Sequence, residues 1–136
     1  MKRVLEEIGS RRRWSEELDK ILEDMETSDS EIEASAIVST DGFVISATLP
    51  KKGADEELIA AMGAAILNIS SRALRELARG ELIKVIVSGS KGDITIMDVG
   101  KEAVLLAITK LGASIGLLLV EMMNAKEKIQ SLLDTV

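Results

Sequence analysis

Residues 33–48, Glu-Ala-Ser-Ala-Ile-Val-Ser-Thr-Asp-Gly-Phe-Val-Ile-Ser-Ala-Thr, constrain the fold more than any other stretch of the chain. Asp41-Gly42 supplies the positive-φ positions of a tight turn, and the β-branched and aromatic residues on either side predict two strands joined by a two-residue hairpin loop. In the first strand Ala34, Ala36 and Val38 point one way and Ser35, Ile37 and Ser39 the other. In the second, Phe43, Ile45 and Ala47 oppose Val44, Ser46 and Thr48. Neither face is charged, so the hairpin belongs in a sheet covered on both sides.

A chain of 136 residues, 46% of them hydrophobic, is long enough to bury a core and reads as one globular domain. Its net charge of −6 argues against a nucleic-acid partner, which calls for a basic face. Trp14 and Phe43 are the only aromatic residues, too few to stack unpaired bases. With no Cys and no His, disulfides, thiol nucleophiles, imidazole acid–base catalysis and the usual zinc sites are all excluded. No cofactor, no metal and no enzymatic activity are expected. No apolar run reaches the roughly 18 residues of a membrane span, and the opening Met-Lys-Arg-Val-Leu-Glu-Glu lacks the apolar core of a leader, so a cytoplasmic location is expected.

Along the chain, residues 2–8 suit a short helix. Trp14, Leu18, Ile21, Leu22 and Met25 then predict an amphipathic helix over residues 11–25. Its other side and the following linker carry Glu16, Glu17, Asp19, Glu23, Asp24, Glu26, Asp29, Glu31 and Glu33 against Lys20 alone. This is a solvated acidic face or, more sharply, a contact for a basic partner. The Arg11, Arg12, Arg13 triplet reads as a solubilising surface cluster.

After the hairpin, Leu49-Pro50-Lys51-Lys52-Gly53 is a loop. Asp55-Glu56-Glu57 opens a long helix that is predicted to run to about Arg79 and stop at Gly80. One of its faces, Ile59, Met62, Ile66, Ile69, Ala73 and Leu77, is expected on the sheet. The other, Ala60, Gly63, Ala64, Leu67, Ser71 and Leu74, has the small residues that let a second backbone approach. Gly63 in mid-helix costs about 1 kcal/mol against Ala, and a contact with a second subunit is expected to offset it; a tight fit on its own sheet is the alternative.

Residues 82–88 alternate, with Ile83, Val85 and Val87 opposite Leu82, Lys84, Ile86 and Ser88, as suits an edge strand or an interface. Turns at residues 89–92 and at Gly100-Lys101 lead into strands over residues 93–99 and 103–109, the last apolar on both faces and so central. A final helix is predicted over residues 115–133. Gly89-Ser90-Lys91-Gly92 lies between strands, without P-loop spacing or a helix to receive an anion, and reads as a turn. Gly112 and Ser114 read as a helix cap. Asp41 and Asp93 have turn roles, and no Ser has a base at a catalytic spacing.

The order helix, two strands, helix, three strands, helix, with Ser39-Thr-Asp-Gly-Phe-Val-Ile-Ser46, the Pro-containing loop, the Ala-rich middle helix and Ile94-Thr-Ile-Met-Asp-Val-Gly100, resembles the Roadblock family of dynein light chains. That family includes a bacterial gliding-motility activator of a Ras-like GTPase. The match covers roughly residues 11–133; residues 1–10 are an N-terminal extension and residues 11–136 a single domain. The resemblance implies an α+β, profilin-like fold: a five-stranded antiparallel sheet between the long middle helix on one face and the terminal helices on the other. It also implies a homodimer in which two middle helices lie side by side and the strands that follow them pair across a two-fold axis. On this chain that seam is expected at Ala60, Gly63, Ala64, Leu67, Ser71, Leu74, Lys84 and Ile86.

The function so implied is a non-enzymatic regulatory or scaffold subunit that binds a Ras-like small GTPase, with Arg72, Arg75 and Arg79 as the candidate partner surface. The alternative is an adaptor that holds a peptide or a related Roadblock-type partner. A small-ligand sensor is the weakest reading, since no convergent polar residues line a pocket.

Overall fold

A computed structural model describes residues 2–48 and 55–135, with residues 2–12 as backbone alone. Its elements are α1 (Lys2–Ser28), β1 (Ile32–Ser39), β2 (Val44–Thr48), α2 (Glu56–Glu76), β3 (Val85–Gly89), β4 (Gly92–Val99), β5 (Ala103–Lys110) and α3 (Ile115–Asp134). The five strands form one antiparallel sheet in the order β2-β1-β5-β4-β3. As the apolar character of both faces of residues 103–109 predicts, β5 is the central strand, and β3 is an edge.

The sheet separates two cores. On one face Leu18, Leu22 and Met25 of α1 and Leu118, Met122 and Ile129 of α3 pack on Ile37, Met97, Leu105 and Ala107. On the other, Ala60 and Leu67 of α2 pack on Ala36, Val38, Ile96, Val104 and Leu106. Strand β5 feeds both cores by strict alternation, and every residue from Ala103 to Ala107 is buried. This is the expected α+β sandwich.

Several local expectations need revision. The two helical stretches at residues 2–8 and 11–25 are one helix, α1, with no break at Gly9 or Ser10. The loop at residues 49–53 lies outside the described residues, as do the side chains of Arg11 and Arg12. The hairpin loop holds three residues, Thr40, Asp41 and Gly42. Gly42 N–H donates to Ser39 O at 2.9 Å, and Ser39 N–H donates to Phe43 O at 2.8 Å. Gly42 has φ 93°, so a left-handed residue closes the three-residue loop.

Alternation in β2 is also broken. Ile37 pairs with Ser46 but Val38 with Val44, so Ile45 is bulged out of register. Val44 and Ala47 therefore face α2 while Ile45 joins the core under α1.

The bulge places the hydroxyls of Ser46 and Thr48 toward α1. Ser46 Oγ donates to the Asp19 carboxylate and Thr48 Oγ1 to that of Glu26. Buried Ser35 Oγ donates to Glu26 Oε2 at 3.0 Å and lies 3.0 Å from Thr48 Oγ1. Two members of the acidic run thus turn inward and tie α1 to the sheet, while Glu16, Glu17, Glu23 and Asp24 remain exposed. A third, Asp29, is buried in the turn that follows, where its Oδ1 accepts from Glu31 N–H at 3.0 Å. At the start of α3 the expected cap is present: Ser114 Oγ accepts from Leu117 N–H at 3.3 Å.

Candidate functional site

Helix α2 is apolar on two sides, and what decides which side meets the sheet is the bulk beneath it. Val38, Val44, Ile96, Val104 and Leu106 fill that face of the sheet. Only a small-residue stripe brings the helix close enough to cover them. Ala60, Gly63, Ala64 and Leu67 are the buried residues of α2, and a Cβ added at Gly63 would sit 3.0 Å from Leu106 Cδ1. Ser71 and Leu74 continue this line half-buried.

The small-residue stripe therefore meets the sheet instead of facing outward, while of the residues expected on the sheet Ile59 and Ile66 pack against its core half-buried and Met62, Ile69, Ala73 and Leu77 are exposed. Ala60, Gly63, Ala64 and Leu67 are spent on the chain's own sheet and cannot form a seam with a second copy. The outward stripe is Leu58, Met62, Ile69 and Ala73, with Ile59 and Ile66 half-buried at its shoulder. Ile69 is 70% exposed and Met62 48%, which is unusual for large apolar residues in the middle of a helix.

This stripe lies on the element that leads into the sheet edge. Val85, Ile86, Val87, Ser88 and Gly89 of β3 pair with β4 on one side only. The other side carries no strand among the described residues. Ile83 just before the strand is 71% exposed, and Val87 is 41% exposed. Of the two strand-side residues expected in the seam, Lys84 is exposed ahead of β3 and Ile86 is half-buried within it. At β3 a bare β-ladder edge follows a helix with an exposed apolar face, so backbone and side-chain demands for a partner occur on successive elements.

The three arginines do not form one cluster. Arg72 Nε is 2.9 Å from Glu76 Oε1 one turn along, with both side chains well exposed. Arg75 is exposed in the last turn. Arg79 lies beyond the helix, which ends at Glu76 and not near Arg79. The end is a left-handed reversal: Ala78 has φ 54°, its N–H donates to Arg75 O at 3.1 Å, and Arg79 N–H donates to Leu74 O at 2.8 Å. The stop therefore comes two residues before Gly80. Farther back along α2, Asn68 Nδ2 donates to Thr40 O at 3.3 Å and Gly42 rests against Ala61, which holds the hairpin tip on α2. Phe43 projects from that tip 71% exposed.

Sequence reasoning thus found the edge strand and the helix with an exposed apolar stripe, but expected the small-residue stripe of α2 to face outward where the structure buries it. Met62 and Ile69 were expected on the sheet and stand exposed instead, because both stripes of α2 have the same period.

The family model described as Roadblock/LC7 domain matches residues 18–109, from the first buried leucine of α1 to the end of β5. An uncharacterised protein of Methanocaldococcus jannaschii is 30% identical over 115 residues, 85% of this chain and 98% of its own length. Among solved structures, Myxococcus xanthus MglB aligns with a TM-score of 0.81 at 17% identity, covering 88% of this chain and 96% of MglB. The gliding protein MglB of Thermus thermophilus aligns with a TM-score of 0.81 at 14% identity, covering 90% of this chain and 93% of its own. At such identities the solved structures attest the shared fold. Because the family model takes in most of the sandwich, and a relative is similar across nearly its whole length, the chain belongs to the Roadblock/LC7 domain family.

Proposed function

We propose that the protein is a non-enzymatic, cytoplasmic regulatory subunit: a homodimer that binds a Ras-like small GTPase and modulates its nucleotide cycle. The observation that carries the dimer is the exposed stripe of Leu58, Met62 and Ile69 beside the unpaired edge of β3. A two-fold contact must be self-complementary. Two antiparallel copies of β3 satisfy each other's backbone groups, and uncharged stripes of α2 then meet above them.

Membership of the Roadblock/LC7 family and likeness to MglB support a GTPase as the partner. The lack of His and Cys fits a subunit that acts by binding. The test mixes the purified protein with each Ras-like GTPase encoded in the same genome and measures complex formation, GTP hydrolysis and nucleotide exchange. Binding with a changed rate, lost in Ile69→Glu, is the expected result. Failure to bind any of them overturns the reading.

A second reading, an adaptor that holds a peptide or a related Roadblock-type subunit, is favoured by the exposed acidic side of α1 at Glu16, Glu17, Glu23 and Asp24. Recovery of non-GTPase partners alone would select it.

A further inference from the structure

Methionine is the only sulfur-bearing residue type of the chain, which has six Met and no Cys. Those with described side chains fall into two classes. Met25, Met97 and Met122 are buried in the core beneath α1 and α3, where a flexible thioether fills irregular gaps. Met62 on α2 is 48% exposed and Met123 on α3 is 45% exposed, on opposite layers of the sandwich.

Met62 differs from Met123 in its setting. It lies within the outward stripe, one turn from Leu58 and two from Ile69, and from Leu58 to Ser71 the helix carries no charged residue. The side chains one turn away on either side, Leu58, Ile59, Ala65 and Ile66, have no hydrogen-bond donor. A thioether there needs none. A sulfoxide oxygen does, and where a second copy of the same stripe covers it, that oxygen is buried without a partner.

We propose that Met62 is a site of reversible oxidation that releases the α2 and β3 seam, an inference that rests on the dimer of the proposed function. The oxidant is a hydroperoxide. One oxygen atom passes to the thioether sulfur, which is oxidised to the sulfoxide, while hydrogen peroxide is reduced to water. Each copy then carries one unpaired oxygen into the seam, which should raise the dissociation constant of the dimer by about a hundredfold. The coupling runs both ways: the dimer shields Met62, so oxidation proceeds through the dissociated chain and slows as protein concentration rises. Met123 takes up oxygen at any concentration and leaves the dimer intact.

Hydrogen peroxide added to the full chain tests it, with peptide mass spectrometry locating each added oxygen and light scattering giving the mass. Sulfoxides are expected at Met62 and Met123 but not at Met25, Met97 or Met122. The dimer should fall to a monomer and be restored by methionine sulfoxide reductase. Met123→Leu should respond as the wild type does, whereas Met62→Leu should stay dimeric in peroxide. Met62→Gln, with a polar side chain of similar length, should shift toward the monomer without any oxidant and keep the wild-type circular dichroism. A dimer that persists with Met62 oxidised overturns the inference and leaves the seam standing. So does a Met62→Leu protein that peroxide still splits, or a Met62 that peroxide never modifies. A wild type that is monomeric before treatment, or a dimer indifferent to Ile69→Glu, removes the seam and the inference with it.

Discussion

Gly63 on α2 stands against Leu106 on the central strand with no room to spare: an added Cβ would lie 3.0 Å from Leu106 Cδ1. The glycine is a spacer between helix and sheet. Gly63→Ala gains about 1 kcal/mol of helix propensity and gives much of it back by displacing the flexible end of Leu106, so stability should change by less than about 1 kcal/mol. Gly63→Leu has no such escape and should lower stability by about 3 kcal/mol. Chemical denaturation measures both. If Gly63→Leu unfolds like the wild type and changes only the mass in solution, the glycine faces outward after all.

Ile69→Glu should do the reverse. The side chain is exposed in the single chain, so folding should change by no more than about 0.5 kcal/mol. In the dimer it would bury a carboxylate opposite its own copy. Loss of the dimer by light scattering, with an unchanged denaturation midpoint for the monomeric fold, is the expected pair of results.

The face of α2 that meets the sheet was the least legible feature of the chain. Periodicity gave both stripes equal standing, since Ile59, Met62, Ile66 and Ile69 recur with the same helical spacing as Ala60, Gly63, Ala64 and Leu67. The sheet beneath decides between them. Val104 and Leu106 sit more than thirty residues further on, and no local window weighs their volume against that of the helix. By contrast, the central place of β5 and the edge position of β3 could be read from the residues themselves, because burial on two faces leaves an apolar run and exposure leaves Lys84 and Ser88. The bulge at Ile45 left no mark: Phe43 to Thr48 alternates acceptably in either register.

Ala78 occupies the left-handed position that ends α2, with φ 54°. A β-carbon there costs about 1 kcal/mol or more. Ala78→Gly should therefore stabilise the protein by about 0.5–1 kcal/mol, after the added freedom of the unfolded chain is subtracted. The denaturation midpoint should rise at constant slope. A lower midpoint would mean that the reversal is not populated.

The hydroxyl and carboxylate group between α1 and the sheet should behave as one unit. Ser35→Ala removes a buried donor to Glu26, and Thr48→Val removes a second. Each should cost about 1–2 kcal/mol. The double variant should cost less than the sum, because the two hydroxyls also contact each other. Full additivity would show that they act separately.

Arg72, Arg75 and Arg79 offer a clean separation of folding from binding. Each is exposed, and the Arg72 to Glu76 pair one turn apart is worth about 0.3–0.5 kcal/mol at most. Charge reversal at any of the three should leave thermal unfolding almost unchanged. If these residues meet the GTPase, its affinity should drop with the charge reversed and become less sensitive to salt. Unaltered affinity in all three variants would place the partner elsewhere.

The strand order has a consequence for how the molecule comes into being. Ile32 pairs with Thr109 and Ser39 with Ala103, so the strand at the heart of the sheet is made after most of the chain has left the ribosome. Until then the β1 and β2 hairpin is a ribbon open along both edges, one of which β5 later covers, and α2 has only part of its floor. Hairpins and the run from β3 to β5 form from neighbours, but the stitch between β1 and β5 closes a loop of more than sixty residues. Folding should wait on that stitch, and the nascent chain carries its stickiest open edge, buried in the finished protein, through most of synthesis.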